Sequence, residues 1–312
     1  MKKCLSVTLM LCLAAGVFAQ QQQPEWINQE INQINRAPVH ATYFAFRDRE
    51  AAEANVPETA PNYMSLNGTW KFNWVNDQTS RPVNFFEPGF EDQFWVDFPV
   101  TALWELNGYG NPVYLNTGYA WMTQFRNNPP FVEAKNNHVG SYRRWVDIPE
   151  DWAGETVYFH VGSATSNLYV WVNGQFVGYS EDSKMAAEFD ITPYLKKGKN
   201  LIAMQIYRWC DGTYFEDQDF WRLSGIARDV YLYARPSVRL EDVFLTPDLV
   251  NNYKNGTLRI EAQMTGSGRI EAVLEDAAGK TVKQMTLTPD AEGKATGTMS
   301  VASPAKWTAE TP

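Results

Sequence analysis

Histidine and cysteine are scarce in this chain, and their scarcity narrows the chemistry. The three histidines, His40, His138 and His160, stand far apart with no metal-ligand spacing, so each reads as a surface or packing residue. Of the three cysteines, Cys4 and Cys12 fall in an N-terminal leader. That leaves Cys210 alone and no internal disulfide. Excess positive charge is missing too: the formal net charge is −9, which argues against nucleic acid as a partner. Long hydrophobic runs are absent apart from Leu5 to Phe18, which is too short for a comfortable membrane span. No helical pattern is long enough for βα units, so no α/β barrel is expected within these residues.

What is present begins with that leader. Lys2 and Lys3 precede the apolar run, and Val17-Phe18-Ala19 offers small residues at a cleavage spacing. Residues 1–19 therefore read as a secretory signal peptide. Lipid anchoring at Cys12 is disfavoured, because Leu9-Met10-Leu11 before it are not small. A secreted protein, in a bacterial periplasm or outside the cell, is the expectation.

The 312-residue chain as a whole is 44% hydrophobic and 14% aromatic, which suffices for at least two folded domains. Residues 20–61 are polar and proline-punctuated, an extended arm with one short helix expected around Trp26 to Asn35. Short strands follow. Thr69-Trp70-Lys71-Phe72-Asn73-Trp74 alternates with period two, and Val157–Val161 and Leu201–Tyr207 are β-rich runs. Leu168–Val172, Asn173-Gly174 and Gln175-Phe176-Val177 predict a hairpin closed by a type I′ turn. Apolar residues on both faces of its first strand place it inside a two-layer sandwich. Arg235-Pro236 marks a boundary, so 62–235 reads as one β-sandwich. After it about five regularly spaced strands suggest an immunoglobulin-like module over 236–312, where about seven are usual. That second module is expected to be incomplete.

One stretch stands out chemically. Glu216-Asp217-Gln218-Asp219-Phe220-Trp221-Arg222-Leu223-Ser224-Gly225-Ile226 packs carboxylates and an amide against aromatics and an arginine. Buried carboxylates need an arginine, a cation or a ligand hydroxyl as partner. Carboxylate, amide and aromatic together suit a sugar. On composition alone a structural loop fixed by an Asp–Arg pair stands at even odds with a site. The amide- and phenol-rich loop Asn107–Asn116, flanked by Trp104 and Trp121, is the expected partner of this segment around one ligand. Asn128-Pro129-Pro130-Phe131-Val132 is a stiff loop that either rims a site or joins strands. Trp95, Trp104, Trp121 and Trp171 could be sugar platforms, although Trp171 reads as core.

Ser65–Phe72, Trp104–Asn116, Asn128–Val132, Val177–Ser183 and Asp211–Arg228 occur in an order that resembles the N-terminal region of the large bacterial β-galactosidases of glycoside hydrolase family 2. The β-glucuronidases of that family share the domain order but not the Asp217-Gln218-Asp219-x-Trp221-Arg222 run. The resemblance implies an all-β chain: a jelly-roll sugar-binding domain followed by a truncated immunoglobulin-like sandwich, with the catalytic barrel outside it. It implies that Asp219 binds the galactosyl 6-hydroxyl and a monovalent cation, sodium or potassium, and that Asn116 contacts the galactose. It also implies retaining hydrolysis by two barrel glutamates, a magnesium site outside this chain, and a homo-oligomeric full enzyme. The chain holds no Asn-Glu dipeptide, so no catalytic residue is expected in it. A free-standing carbohydrate-binding module is the competing reading.

Overall fold

A computed structural model describes residues 23–310; the leader and its cleavage point lie outside the described residues. Two antiparallel sheets stack face to face. The larger has seven strands, in the order Gln33–Ile34, Gln175–Ser180, Leu168–Val172, Lys199–Tyr207, Val139–Asp147, Gly68–Val75 and Val96–Val100. The smaller runs Ala187–Asp190, Thr156–Val161, Val230–Arg235 and Tyr63–Ser65. Between them lies a core that includes Trp70, Phe72, Phe98, Tyr142, Phe159 and Phe189. Side chains alternate across a strand, so Trp70 and Phe72 reach this core while Lys71 between them faces away.

Asn173 and Gly174 both take positive φ (53° and 88°) and close the hairpin between Leu168–Val172 and Gln175–Ser180, the twist-matched turn that Asn-Gly favours. Strand Lys199–Tyr207 is buried on both faces after its first residue. Its outer face is covered by a second cluster containing Trp26, Tyr169, Tyr179, Tyr207 and Trp209. Trp171 belongs to this outer layer rather than to the inter-sheet core: it is half-buried and stacked on Phe86 at 5.0 Å.

The arm's helix is Arg49–Ala54, not the region of Trp26 to Asn35, which holds a 3-10 turn and a two-residue strand. Capping decides this. The Asp48 side chain accepts a hydrogen bond from the Ala51 N–H at 2.9 Å, and Asn55 takes the left-handed conformation at the other end. No helix among the described residues is long and apolar enough to cross a membrane.

The arm also laces the two modules together. His40 Nε2 lies 3.0 Å from Glu188 of the jelly roll, whose carboxylate also meets His160 Nδ1 at 2.7 Å and the Tyr233 hydroxyl at 2.8 Å. Next in the arm, the Ala41 N–H donates to Asp242 at 2.8 Å and the Tyr43 hydroxyl to the Leu240 carbonyl at 2.8 Å. Two of the three histidines, His40 and His160, thus converge on one carboxylate through folding, which their sequence spacing conceals.

Beyond Arg235 the second module follows. Arg239–Val250, Asn255–Thr265 and Lys294–Ala302 form one sheet, and Ile270–Glu275 pairs with Thr281–Leu287. Its core is small: Ile260, Leu287, Ala295 and Met299.

Candidate functional site

The acidic stretch and the amide-rich loop meet as a two-stranded antiparallel ribbon. Val113–Leu115 pairs with Phe220–Arg222 through Phe220↔Leu115, Trp221↔Tyr114 and Arg222↔Val113. Asn116 and Asp219 are therefore the residues just beyond the last pair, side by side at the ribbon's open end. Both are exposed. The Tyr114 hydroxyl donates to Asp219 Oδ1 at 2.8 Å. Tyr114 and Trp221, ring centroids 5.3 Å apart, are 46% and 51% exposed. An exposed carboxylate, an amide and two aromatic rings thus share one face, a set that can accept sugar hydroxyl protons and cover the C–H side of a ring.

The other carboxylates of the stretch do different work. Arg222 is fully buried, and its Nη1 holds Glu216 at 2.6 Å and Asp217 at 2.7 Å. Its Nη2 donates to the Arg208 carbonyl and the guanidinium lies over the Trp209 ring at 4.6 Å. Arg228 donates to the Lys184 carbonyl at 2.6 Å. The structural Asp–Arg pair is therefore Asp217 with Arg222, and Asp219 is held by neither arginine.

Supporting contacts set the ribbon's base. Ser224 N–H donates to Glu105 Oε2 at 2.7 Å, and Trp104 N–H donates to the Ser224 carbonyl at 2.9 Å. Gly225 has φ of 107°, and a Cβ there would sit 2.8 Å from the Ala102 carbonyl oxygen and 3.0 Å from the Trp104 ring, so only glycine fits. Tyr214 accepts from the Asn128 N–H at 3.2 Å and donates to the Phe131 carbonyl at 2.7 Å, which ties the proline loop to the acidic segment. Trp104 and Trp121 are buried, which makes them scaffold rather than sugar platforms. At the ribbon the exposed rings are Tyr114 and Trp221.

A buried acidic group lies deeper. Among the described residues, ligand atoms of Glu181, Cys210 and Asp211 come within 4.8 Å of one another. Burial holds the Cys210 thiol protonated by raising its pKa, and Ser166 Oγ lies 2.8 Å from its sulfur. Glu181 accepts from the Tyr179 hydroxyl at 2.6 Å and faces the Asp211 carboxyl. Burial, with Asp211 and Glu216 nearby, pushes Glu181 up to about 8 from the ordinary 4.5. A folded-state pKa above the unfolded one gives stability that is complete below pH 4.5 and lost as pH rises through about 8. The urea midpoint of the chain is therefore expected to fall across that range. Glu181→Gln keeps a hydrogen-bonding side chain without titrating and should flatten the curve. Parallel pH curves for the two proteins would remove Glu181 as the cause.

Comparisons with known proteins agree with this architecture. A family model described as the glycosyl hydrolases family 2 sugar binding domain matches residues 63–236, and a second, described as glycosyl hydrolases family 2, matches 238–312. The chain is 41% identical over 301 residues to a β-galactosidase of Priestia megaterium, covering 93% of this chain and 29% of that protein. It is 38% identical over 283 residues to a β-galactosidase of Halalkalibacterium halodurans, covering 89% and 28%. Among solved structures, a Bacteroides uniformis β-glucuronidase superposes with a TM-score of 0.61 at 19% identity, covering 80% of this chain and 29% of that one. The chain thus spans under a third of the length of these relatives. The structural likeness, at such low identity, speaks for the fold alone.

Proposed function

The chain belongs to glycoside hydrolase family 2, and from that premise we propose that it is the sugar-positioning N-terminal part of a retaining β-galactosidase. One observation carries the reading: folding places Asn116 and Asp219 together at an exposed ribbon end beside Tyr114 and Trp221. The β-galactosidase relatives support galactosides as the substrate class. A carboxylate at the sugar face disfavours an anionic substrate such as a glucuronide.

On this reading Asp219 accepts the galactosyl 6-hydroxyl and Asn116 contacts the same sugar. Binding to non-reacting hydroxyls lowers the barrier at the anomeric carbon when the contacts tighten in the transition state. The acid/base and nucleophilic glutamates of the double-displacement reaction belong to a catalytic domain outside these residues. A monovalent cation, sodium or potassium, fits the exposed Asp219 carboxylate as one ligand, and the rest of its shell falls to that domain. Magnesium belongs there too. Export to the periplasm and assembly into a homo-oligomer complete the proposal.

The test is direct. Purified residues 20–312 are expected to release no chromophore from a β-galactoside, whereas a chain extended through the catalytic domain hydrolyses it and spares the matching β-glucuronide. Turnover by the clean short chain, or a preference for the glucuronide in the long one, would overturn the reading.

A further inference from the structure

Asp219 and Asp217 share one short turn, and both take left-handed backbone angles, φ 53° and 61°. Such angles are unfavourable for residues other than glycine and persist only where surrounding contacts impose them. Arg222 imposes them from below, through Asp217. A second cation reaches the turn from a different loop. Lys184 Nζ bonds Asp217 Oδ1 and lies 5.6 Å over the ring of Phe220. It therefore grips the chain two residues before Asp219 and one residue after it.

Lys184 is itself held. Its N–H donates to the Ala164 carbonyl at 2.9 Å and its carbonyl accepts from Arg228 at 2.6 Å. Its own φ of 67° is left-handed, which fixes the direction in which the side chain leaves the backbone. Asp217 is 2% exposed at its side chain, so the charge that Lys184 and Arg222 share has little access to water. We propose that Lys184 is a positioning residue for the sugar site, setting the angle at which Asp219 is presented by clamping both flanks of its turn. This rests on the reading of Asp219 as the galactosyl 6-hydroxyl acceptor.

Lys184→Met keeps the apolar stem against Phe220 and removes only the charge, so the fold is expected to survive; Lys184→Arg restores a cation. Two measurements decide. In the 312-residue chain, amide exchange over residues 217–222 should quicken about tenfold in Lys184→Met and stay unchanged in the strands of the main sheet. In the enzyme extended through its catalytic domain, the preference for galactosides over arabinosides, which lack the hydroxymethyl group, should fall about tenfold in kcat/KM. Lys184→Arg should recover most of both. Unchanged exchange overturns the proposal. Quickened exchange with the preference intact also overturns it, because Lys184 would then brace the turn without affecting the sugar. If Asp219→Ala itself leaves the preference unaltered, the reading of Asp219 has failed, and the exchange measurement alone decides whether Lys184 holds the turn.

Discussion

Asp219→Ala, placed in the enzyme that carries the catalytic domain, is expected to lose most of its preference for galactosides over arabinosides. The carboxylate is exposed and, among the described residues, tied only to the Tyr114 hydroxyl, so its removal leaves the fold largely intact. A hydrogen bond from a sugar hydroxyl to a charged acceptor contributes about 1.5–3 kcal/mol, which corresponds to roughly ten- to hundredfold in kcat/KM. Arabinosides have no hydroxymethyl group to lose and should be turned over at nearly the same rate by both proteins. A contact that tightens in the transition state lowers kcat as well as raising KM. Monovalent cation activation should weaken in parallel. A mutant that keeps the galactoside preference would remove Asp219 from the site.

Arg222→Met should act oppositely, on stability rather than selectivity, and with a larger effect. The guanidinium is fully buried and partners two carboxylates, of which Asp217 has almost no solvent access. Breaking a buried pair by removing one partner costs about 3–5 kcal/mol, and here it strips Glu216 of its arginine and leaves Asp217, with little access to water, to Lys184 alone among the described residues. For a domain of this size that lowers the melting temperature by roughly 10 °C. Adding Asp217→Asn removes one stranded charge and should recover a measurable part of the loss. Thermal unfolding of the two variants checks this. A drop below about 1 kcal/mol, the range of exposed pairs, would show that water replaces the arginine.

The strands and the Asn173-Gly174 hairpin were legible because alternation and turn chemistry are local signals. The division of labour among Glu216, Asp217 and Asp219 was not. All three are acidic neighbours, and only the fold decides that Glu216 and Asp217 face Arg222 while Asp219 does not. The meeting of the Asn116 and Asp219 segments follows from their composition, but its form, facing positions at a ribbon end, depends on a register that spacing does not encode. Lys184 gave no signal at all: it is a lone lysine in a polar loop, made significant by a contact across 33 residues. Likewise the tryptophans most tempting as sugar platforms, Trp104 and Trp121, are interior. Residue type ranks burial poorly when the ring is large and carries a polar N–H.

The lacing of the arm across both modules bears on the order in which the molecule can be made. Ala41 and Asp242 are 201 residues apart in the chain, and His40 and Glu188 are 148 apart. During synthesis from the N-terminus the arm emerges first, yet its berth is complete only after residue 242 has left the ribosome. The jelly-roll strands, whose partners are largely made by Arg235, can close before that. Docking the arm is thus a late, long-range event that follows collapse of the first sandwich. The stretch His40 to Tyr43 is thus made early and docked late.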